Sequence, residues 1–274
     1  MAGVDFTSAP RRAKPITLAY GRRTGATVVL DGLETLGDFA ALAAWLRRPG
    51  PWLAAFDFPF GLPRDLVLDL GWPLRWPELI RHYAAMTRAE VRATFAAYCA
   101  ARPAGAKFAH RACDGPAGSS PSMKWVNPPV AIMLHAGAPL LLEAGVHLPG
   151  LHQGDIRRVA LEGYPGLLAR EILGARSYKS DEKARQTEER RAARVALIDG
   201  LEAGQTRLGL VLQPASALRN SLIADASGDR LDAVLCLIQA AWASMRQAYG
   251  LPEFVDPLEG WIVSTPPATK PSAV

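Results

Sequence analysis

The sequence is poor in cysteine, and no pair of its histidines has the spacing of a metal site. Cys99, Cys113 and Cys236 are odd in number and widely separated, which argues against a disulfide framework or a CxxC zinc site. We expect these cysteines to be buried free thiols. We expect structural or surface roles for the histidines, which are His82, His110, His135, His147 and His152.

Long apolar runs are absent as well. No segment offers about 18 uninterrupted apolar residues, the length that a membrane-crossing helix needs. The amino terminus enters apolar sequence without the basic residues that begin a secretory leader. These two absences predict a soluble, cytoplasmic protein with no membrane partner.

What the sequence does contain is enough apolar material for a large core, since 49% of the 274 residues are hydrophobic. The net charge of +5 permits a polyanionic partner without requiring one. Between Arg64 and Trp125, nine Lys and Arg stand against five Asp and Glu, so the positive charge is concentrated in that segment.

The first part of the chain predicts a mixed α/β order. Residues 3–9 are typical of a short buried strand, and residues 16–20 and 26–30 extend it into a three-stranded antiparallel meander. Apolar residues at helical spacing predict a helix over 38–48. Residues 53–63 predict a buried strand that ends in a tight turn, because Pro59 cannot donate to a strand ladder.

The pattern changes after residue 63. Residues 64–150 are interpreted as an insertion of helices and polar loops within the same domain, and the core resumes over 151–263. Residues 264–274 are rich in Pro, Ser and Thr and predict a disordered tail. The further predicted elements are a helix over 77–101, a strand over 159–164, helices over 165–173 and 181–201, and a buried helix over 228–250. On the helix over 181–201, Arg190, Arg191 and Arg194 are expected to form a solvated face.

Acidic residues interrupt apolar sequence on four of these elements. They are Asp5 on the first strand, Asp57 at the end of the next buried strand, Glu162 on a later one, and Asp229 and Asp232 on one face of the last helix. A buried carboxylate costs several kcal/mol unless it is paired or bound to a metal. Two divalent cations about 3.5 to 4 Å apart need several oxygen ligands, so these acids predict a metal site for phosphoryl transfer.

Structural roles remain open for four of these five acids. Asp5 could close a turn with Thr7 or Ser8, and Asp57 could cap the turn at Pro59. Glu162 could pair with Arg157 or Arg158. Asp229 gains from the helix dipole whatever its function, whereas Asp232 lies on an otherwise apolar helix and has no evident structural partner.

These acids lie in stretches that resemble a known family, the predicted RNase H-like nucleases grouped as domain of unknown function 429. The matching stretches are Gly3–Asp5, Phe56–Pro63, Glu162–Pro165, Tyr178–Lys179, Gly228–Ala233 and Glu259–Ile262. The turn Asp-Phe-Pro-Phe-Gly-Leu-Pro is the most specific of them. The match covers most of the chain apart from the insertion and the tail.

The resemblance implies an RNase H-like fold, which is a mixed sheet flanked by helices. From the residue pattern we expect the helical and loop insertion to follow the fourth strand. The resemblance also implies that Asp5, Asp57, Glu162 and Asp232 are the catalytic acids and that Mg²⁺ or Mn²⁺ is the cofactor. We expect the same four acids, together with Asp229, to be the metal ligands.

Contacts with substrate are expected from basic residues. Lys179 could contact a phosphate or simply lie at the surface. In the insertion, Lys107, Arg111 and Lys124 are expected to bind substrate, on a loop that we hypothesise lies over the acidic cluster. Aromatic residues of the insertion could stack bases or belong to the core.

The leading functional prediction is a metal-dependent nuclease that hydrolyses DNA or RNA phosphodiester bonds. A non-catalytic nucleic-acid-binding module is the alternative, and it would not require the acids to converge. A phosphotransferase of the sugar kinase and actin type is a third reading, which lacks a convincing Gly-rich adenosine-binding segment. The sequence leaves the oligomeric state open.

Overall fold

The computed structural model describes residues 1–266. Within them, seven strands form one mixed sheet in the order β5-β6-β4-β1-β2-β3-β7. The strands are β1 (Ala2–Asp5), β2 (Ile16–Thr24), β3 (Thr27–Leu36), β4 (Trp52–Phe56), β5 (Val146–His147), β6 (Asp155–Glu162) and β7 (Val211–Pro214). The protein therefore has the α/β architecture that the sequence predicts, with β1 at the centre of its sheet.

Ten α-helices flank this sheet in the described part of the chain. They are α1 (Phe39–Leu46), α2 (Arg64–Asp69), α3 (Trp76–Ala85), α4 (Arg88–Ala100), α5 (Asp114–Ala117), α6 (Val130–Ala144), α7 (Pro165–Leu173), α8 (Glu188–Glu202), α9 (Ser216–Ala224) and α10 (Asp229–Ala243). Short 3₁₀ turns lie at Lys183–Arg185 and Gln247–Gly250. The predicted helix over 165–173 is confirmed in both bounds, with Pro165 in its first turn.

The predicted meander is confirmed, because β1 pairs antiparallel with β2 and β2 with β3. On its other edge β1 pairs parallel with β4, and β4 with β6. The carboxyl ends of β1, β4 and β6 therefore meet at one edge of the sheet.

The two faces of the sheet bury different halves of the chain. Side chains alternate along a strand, so Val4 and Phe6 face one side and Gly3 and Asp5 the other. Val4 belongs to an apolar cluster shared with α1 and the helices of 64–150, such as α6 with its buried Leu134. On the opposite face, β1 packs against α10, with α7, α8 and α9 behind it.

Some features differ from the predictions. The strands β5 and β7 and the helices α6 and α9 were not predicted, and β5, within residues 64–150, pairs with β6 at the sheet edge. Arg194 was expected on a solvated face but is only 4% exposed, because α8 packs that position against the core. Its guanidinium donates to the carbonyls of Ile223 at 2.8 Å and Tyr178 at 2.9 Å.

The predicted disordered tail, residues 264–274, begins too early in the chain. Ser264 and Thr265 are buried, and Ser264 Oγ accepts a hydrogen bond from Gln239 at 3.0 Å. The remainder of that prediction, residues 267–274, lies outside the described residues. Across residues 1–266, none of the helices combines the length and the apolar character that crossing a bilayer requires.

Candidate metal centre

Asp5 and Asp57 lie side by side at the carboxyl ends of adjacent parallel strands. Val4 on β1 is in register with Phe56 on β4, and the N–H of Asp57 donates to the Val4 carbonyl at 2.8 Å. The next residues are Asp5, which ends β1, and Asp57, which directly follows β4, and both side chains point to the same face of the sheet. Asp5 is 8% exposed, whereas Asp57 is half-buried.

Asp232 reaches the same point from the first turn of α10. The helix approaches β1 closely because Gly3 has no side chain, since a Cβ there would lie 2.0 Å from the carbonyl oxygen of Ala233. This close packing places Asp232, which is 1% exposed, beside Asp5. One carboxylate oxygen from each of Asp5, Asp57 and Asp232 lies within 4.8 Å of the other two. We call these three residues the acidic triad.

The three carboxylates differ in their hydrogen bonds. Asp232 accepts one from the Tyr178 hydroxyl on Oδ1 and one from the Lys179 ammonium on Oδ2. Among residues 1–266, the side chains of Asp5 and Asp57 accept none. No donor from residues 1–266 occupies the oxygens of these two carboxylates, so they are available to bind a cation.

The pKa shifts of these groups indicate that too little positive charge surrounds the three carboxylates. Burial, and then the carboxylates of Asp232, Asp229 and Asp57, raise the pKa of Asp5 well above its usual range. Burial and the charge of Asp232 raise the pKa of Asp57 to about 7. Partial burial opposes protonation of Lys179, but Asp232 and the neighbouring acids outweigh it and raise the lysine's pKa. One ammonium therefore does not neutralise the triad.

The fourth predicted catalytic acid, Glu162, does not join the triad. It is in register with Phe56 and Val4, so its side chain points to the face opposite Asp5 and Asp57. Its two oxygens accept hydrogen bonds from Arg111 at 2.8 and 2.7 Å, and one also accepts from the N–H of Phe60 at 2.9 Å. Neither Arg157 nor Arg158 pairs with it. Glu162 lines the same cavity as the triad, but with its charge compensated.

Arg111, predicted to bind substrate, lines the cavity and is bound there to carboxylates of the protein itself. It is 3% exposed and also pairs with Asp114 at 3.0 Å, so two carboxylates hold its guanidinium. A further hydrogen bond of 3.1 Å reaches the carbonyl of Glu259. Arg111 thereby joins the loop before α5 to the end of β6 and to the carboxyl-terminal segment.

Asp229 lies at the edge of the site. Its Oδ1 is 3.4 Å from the ammonium of Lys14, which also pairs with Asp181. Asp229 lines the cavity and contributes to the raised pKa of Asp5, but its oxygens are not within the triad's 4.8 Å grouping. Asp229 therefore lies outside the triad, paired with Lys14.

The triad opens into a cavity of about 590 Å³ with walls from both the core and residues 64–150. Residues 64–150 contribute Ser119 and Ser120 and an apolar wall of Pro128, Pro129, Val130 and Met133. The hypothesis that this region adjoins the acids is thus supported for Ser119 and Ser120. Lys107, which is exposed, and Lys124, which is half-buried, do not line the cavity.

Sequence reasoning missed Lys14, Asp114 and the hydroxyl of Tyr178. Tyr178 stands beside Lys179 in one of the matching stretches, which is the one signal that could have identified it. Lys14 lies in a polar loop, and Asp114 begins the four-residue helix α5 within a Gly-rich stretch, so neither has a local pattern. Comparison of the chain with family models, with curated proteins and with solved structures finds no match.

Proposed function

We propose that this protein is a metal-dependent nuclease with an RNase H-like fold. The observation that carries the proposal is the convergence of Asp5, Asp57 and Asp232 from three separate elements onto one point, with oxygens within 4.8 Å of one another. A binding module without catalysis does not need that convergence. The parallel strands β4 and β6 beside the meander support the fold assignment.

The residues fit Mg²⁺ or Mn²⁺, which prefer carboxylate oxygens. Asp5 and Asp57 would hold the ion with oxygens that accept no hydrogen bond from residues 1–266, and Asp232 would complete the set. Such an ion activates water and stabilises the developing charge on a phosphodiester. Tyr178 orients Asp232 by donating to Oδ1, while Oδ2 accepts from the Lys179 ammonium.

Substrate would enter beside the triad from the open cavity. The Lys179 side chain is 43% exposed at this opening and offers a cation to a phosphate. The hydroxyls of Ser119 and Ser120 can donate to phosphate or sugar oxygens, and the apolar wall at Val130 and Met133 suits the face of a base.

The charge of the cavity favours a second candidate, the hydrolysis of a small phosphate ester. Six acidic side chains but three cationic ones line the cavity, and each of the three cations is paired with an acid. A volume near 590 Å³ falls in the range of about 300 to 1,000 Å³ that takes small ligands. A long polyanion gains little from such a wall.

Hydrolysis assays with Mn²⁺ test both candidates. The panel is single- and double-stranded DNA, RNA and a chromogenic phosphodiester, assayed with wild type, Asp57→Asn and the control Asp31→Asn. Asp31 is an exposed strand residue paired with Arg22, outside the cavity. We expect metal-dependent cleavage that Asp57→Asn lowers at least about 100-fold and Asp31→Asn leaves unchanged. Cleavage of the chromogenic ester alone would favour the second candidate, and activity that survives EDTA would contradict both.

A further inference from the structure

Lys179 has an unusual position for a residue expected to bind substrate, because its ammonium is already bound to the triad. Nζ donates to Oδ2 of Asp232, whose other oxygen is held by Tyr178. Among residues 1–266, Lys179 is the one cationic side chain in hydrogen-bond contact with Asp5, Asp57 or Asp232. It occupies a place on Asp232 that a metal ion would share.

The residues around Lys179 fix its backbone and leave space for its side chain to reach Asp232. Gly228, which precedes α10 with φ of +80°, lies against the lysine stem, and a Cβ there would be 2.6 Å from Cβ of Lys179 and 3.0 Å from its Cδ. A side chain at residue 228 would therefore block the path to Asp232. The buried Arg194 holds the preceding carbonyl, that of Tyr178, at 2.9 Å. The N–H of Ser180 donates to the Ala226 carbonyl at 3.1 Å, so the backbone is fixed on both sides of Lys179.

The side chain of Lys179 nevertheless keeps 43% of its surface exposed, whereas that of Asp232 is 1% exposed. The lysine can thus swing into the cavity without disturbing the core, and the aspartate cannot. When all three carboxylates of the triad are ionised, a single ammonium leaves two of their charges uncompensated. A divalent cation held by the same carboxylates compensates both, so it would compete with Lys179 for Asp232.

We propose that Lys179 is an internal counter-ion of the triad, which gives up Asp232 when a divalent metal binds and turns its ammonium toward the anionic substrate. This inference rests on the metal centre of the proposed function. It assigns Lys179 two successive partners, a carboxylate in the metal-free protein and a substrate phosphate in the loaded one.

Calorimetric titration of the metal-free protein with Mn²⁺ tests the competition. The variant is Lys179→Met, and the control is Lys183→Met, which removes the same charge from an exposed position outside the cavity. We expect Lys179→Met to bind Mn²⁺ about three- to tenfold more tightly than wild type, and Lys183→Met to match wild type. Binding that is unchanged or weaker in Lys179→Met, with wild type binding normally, would overturn the counter-ion role alone. Absence of Mn²⁺ binding in all three proteins would overturn the metal centre itself.

A second measurement uses the unmodified protein and so does not depend on the variant's folding. Acetylation of individual lysines by an amine-reactive ester is followed by mass spectrometry across a Mn²⁺ titration, with Lys183 as the internal reference. We expect the labelling rate of Lys179 to rise severalfold as the metal site fills, while that of Lys183 stays constant. A rate for Lys179 that stays constant or falls would contradict its release.

Discussion

Arg111 holds Glu162 through two hydrogen bonds of 2.8 and 2.7 Å, one to each carboxylate oxygen. Both side chains are nearly inaccessible, at 2% and 3% exposure. The acids at this edge of the sheet therefore fall into two separate kinds. The charge of Glu162 is compensated by an arginine, whereas Asp5 and Asp57 have no such partner among residues 1–266.

The first prediction follows from that separation. Glu162→Gln should lower the free energy of unfolding by about 3 kcal/mol, since it leaves a buried guanidinium incompletely paired. It should change Mn²⁺ affinity by no more than about threefold, because Glu162 lies outside the triad and is bound to Arg111. Urea unfolding and calorimetry measure the two effects. A loss of Mn²⁺ binding as large as that caused by Asp57→Asn would restore Glu162 to the ligand set.

The second prediction concerns pH. A carboxyl whose pKa is higher in the folded protein than in the unfolded chain stabilises the fold below its unfolded pKa near 3.8, and that stability is lost as pH rises through the folded pKa. For Asp57 the loss should extend to about pH 7. As pH rises from 4 to 8, metal-free Asp57→Asn should therefore become more stable relative to wild type, by on the order of a few kcal/mol in the free energy of unfolding.

The measurement is the difference between the unfolding free energies of wild type and Asp57→Asn across this pH range, with Asp31→Asn as the matched control. The control's difference should stay flat. With saturating Mn²⁺, the stability of wild type should rise rather than fall with pH between 7 and 8, because the ion binds the deprotonated carboxylates. A pH-independent difference for Asp57→Asn would mean that the triad's charges are compensated in some other way.

The third prediction concerns the contact that brings Asp232 to Asp5. In Gly3→Ala the new methyl group would meet backbone atoms of α10, 2.0 Å from the Ala233 oxygen and 2.1 Å from the Leu237 nitrogen. Backbone cannot yield cheaply, so we expect a loss of at least about 3 kcal/mol. The matched control is Gly32→Ala, also on a strand, where a Cβ meets no atom within 4 Å. Equal stability of the two variants, measured by thermal unfolding, would show that α10 can move away from β1.

Much of the site could be predicted because Asp5, Asp57 and Asp232 each interrupt a strongly apolar stretch, and buried charge demands a partner. Glu162 satisfies the same local criterion, yet it points to the other face. That outcome depends on its register with Phe56, which spacing within one strand does not reveal.

The same limit applies to the arginines. Arg111 and Arg194 resemble surface residues in their sequence contexts, but tertiary partners bury both. Among the elements, α6 was not predicted because Gly137 and Pro139 interrupt its apolar pattern, and β7 because it is a four-residue strand that ends in Pro214. Their positions depend on packing against distant parts of the chain.

A calorimetric Mn²⁺ titration of wild type beside Asp5→Asn, with Asp31→Asn as control, determines whether the triad binds a divalent cation. It does not require the substrate to be known. We expect saturable binding by wild type and by Asp31→Asn. Asp5→Asn should bind at least about tenfold more weakly, because a ligand oxygen and its charge are lost. Absence of binding in wild type, or equal binding in Asp5→Asn, would contradict a metal centre at Asp5, Asp57 and Asp232.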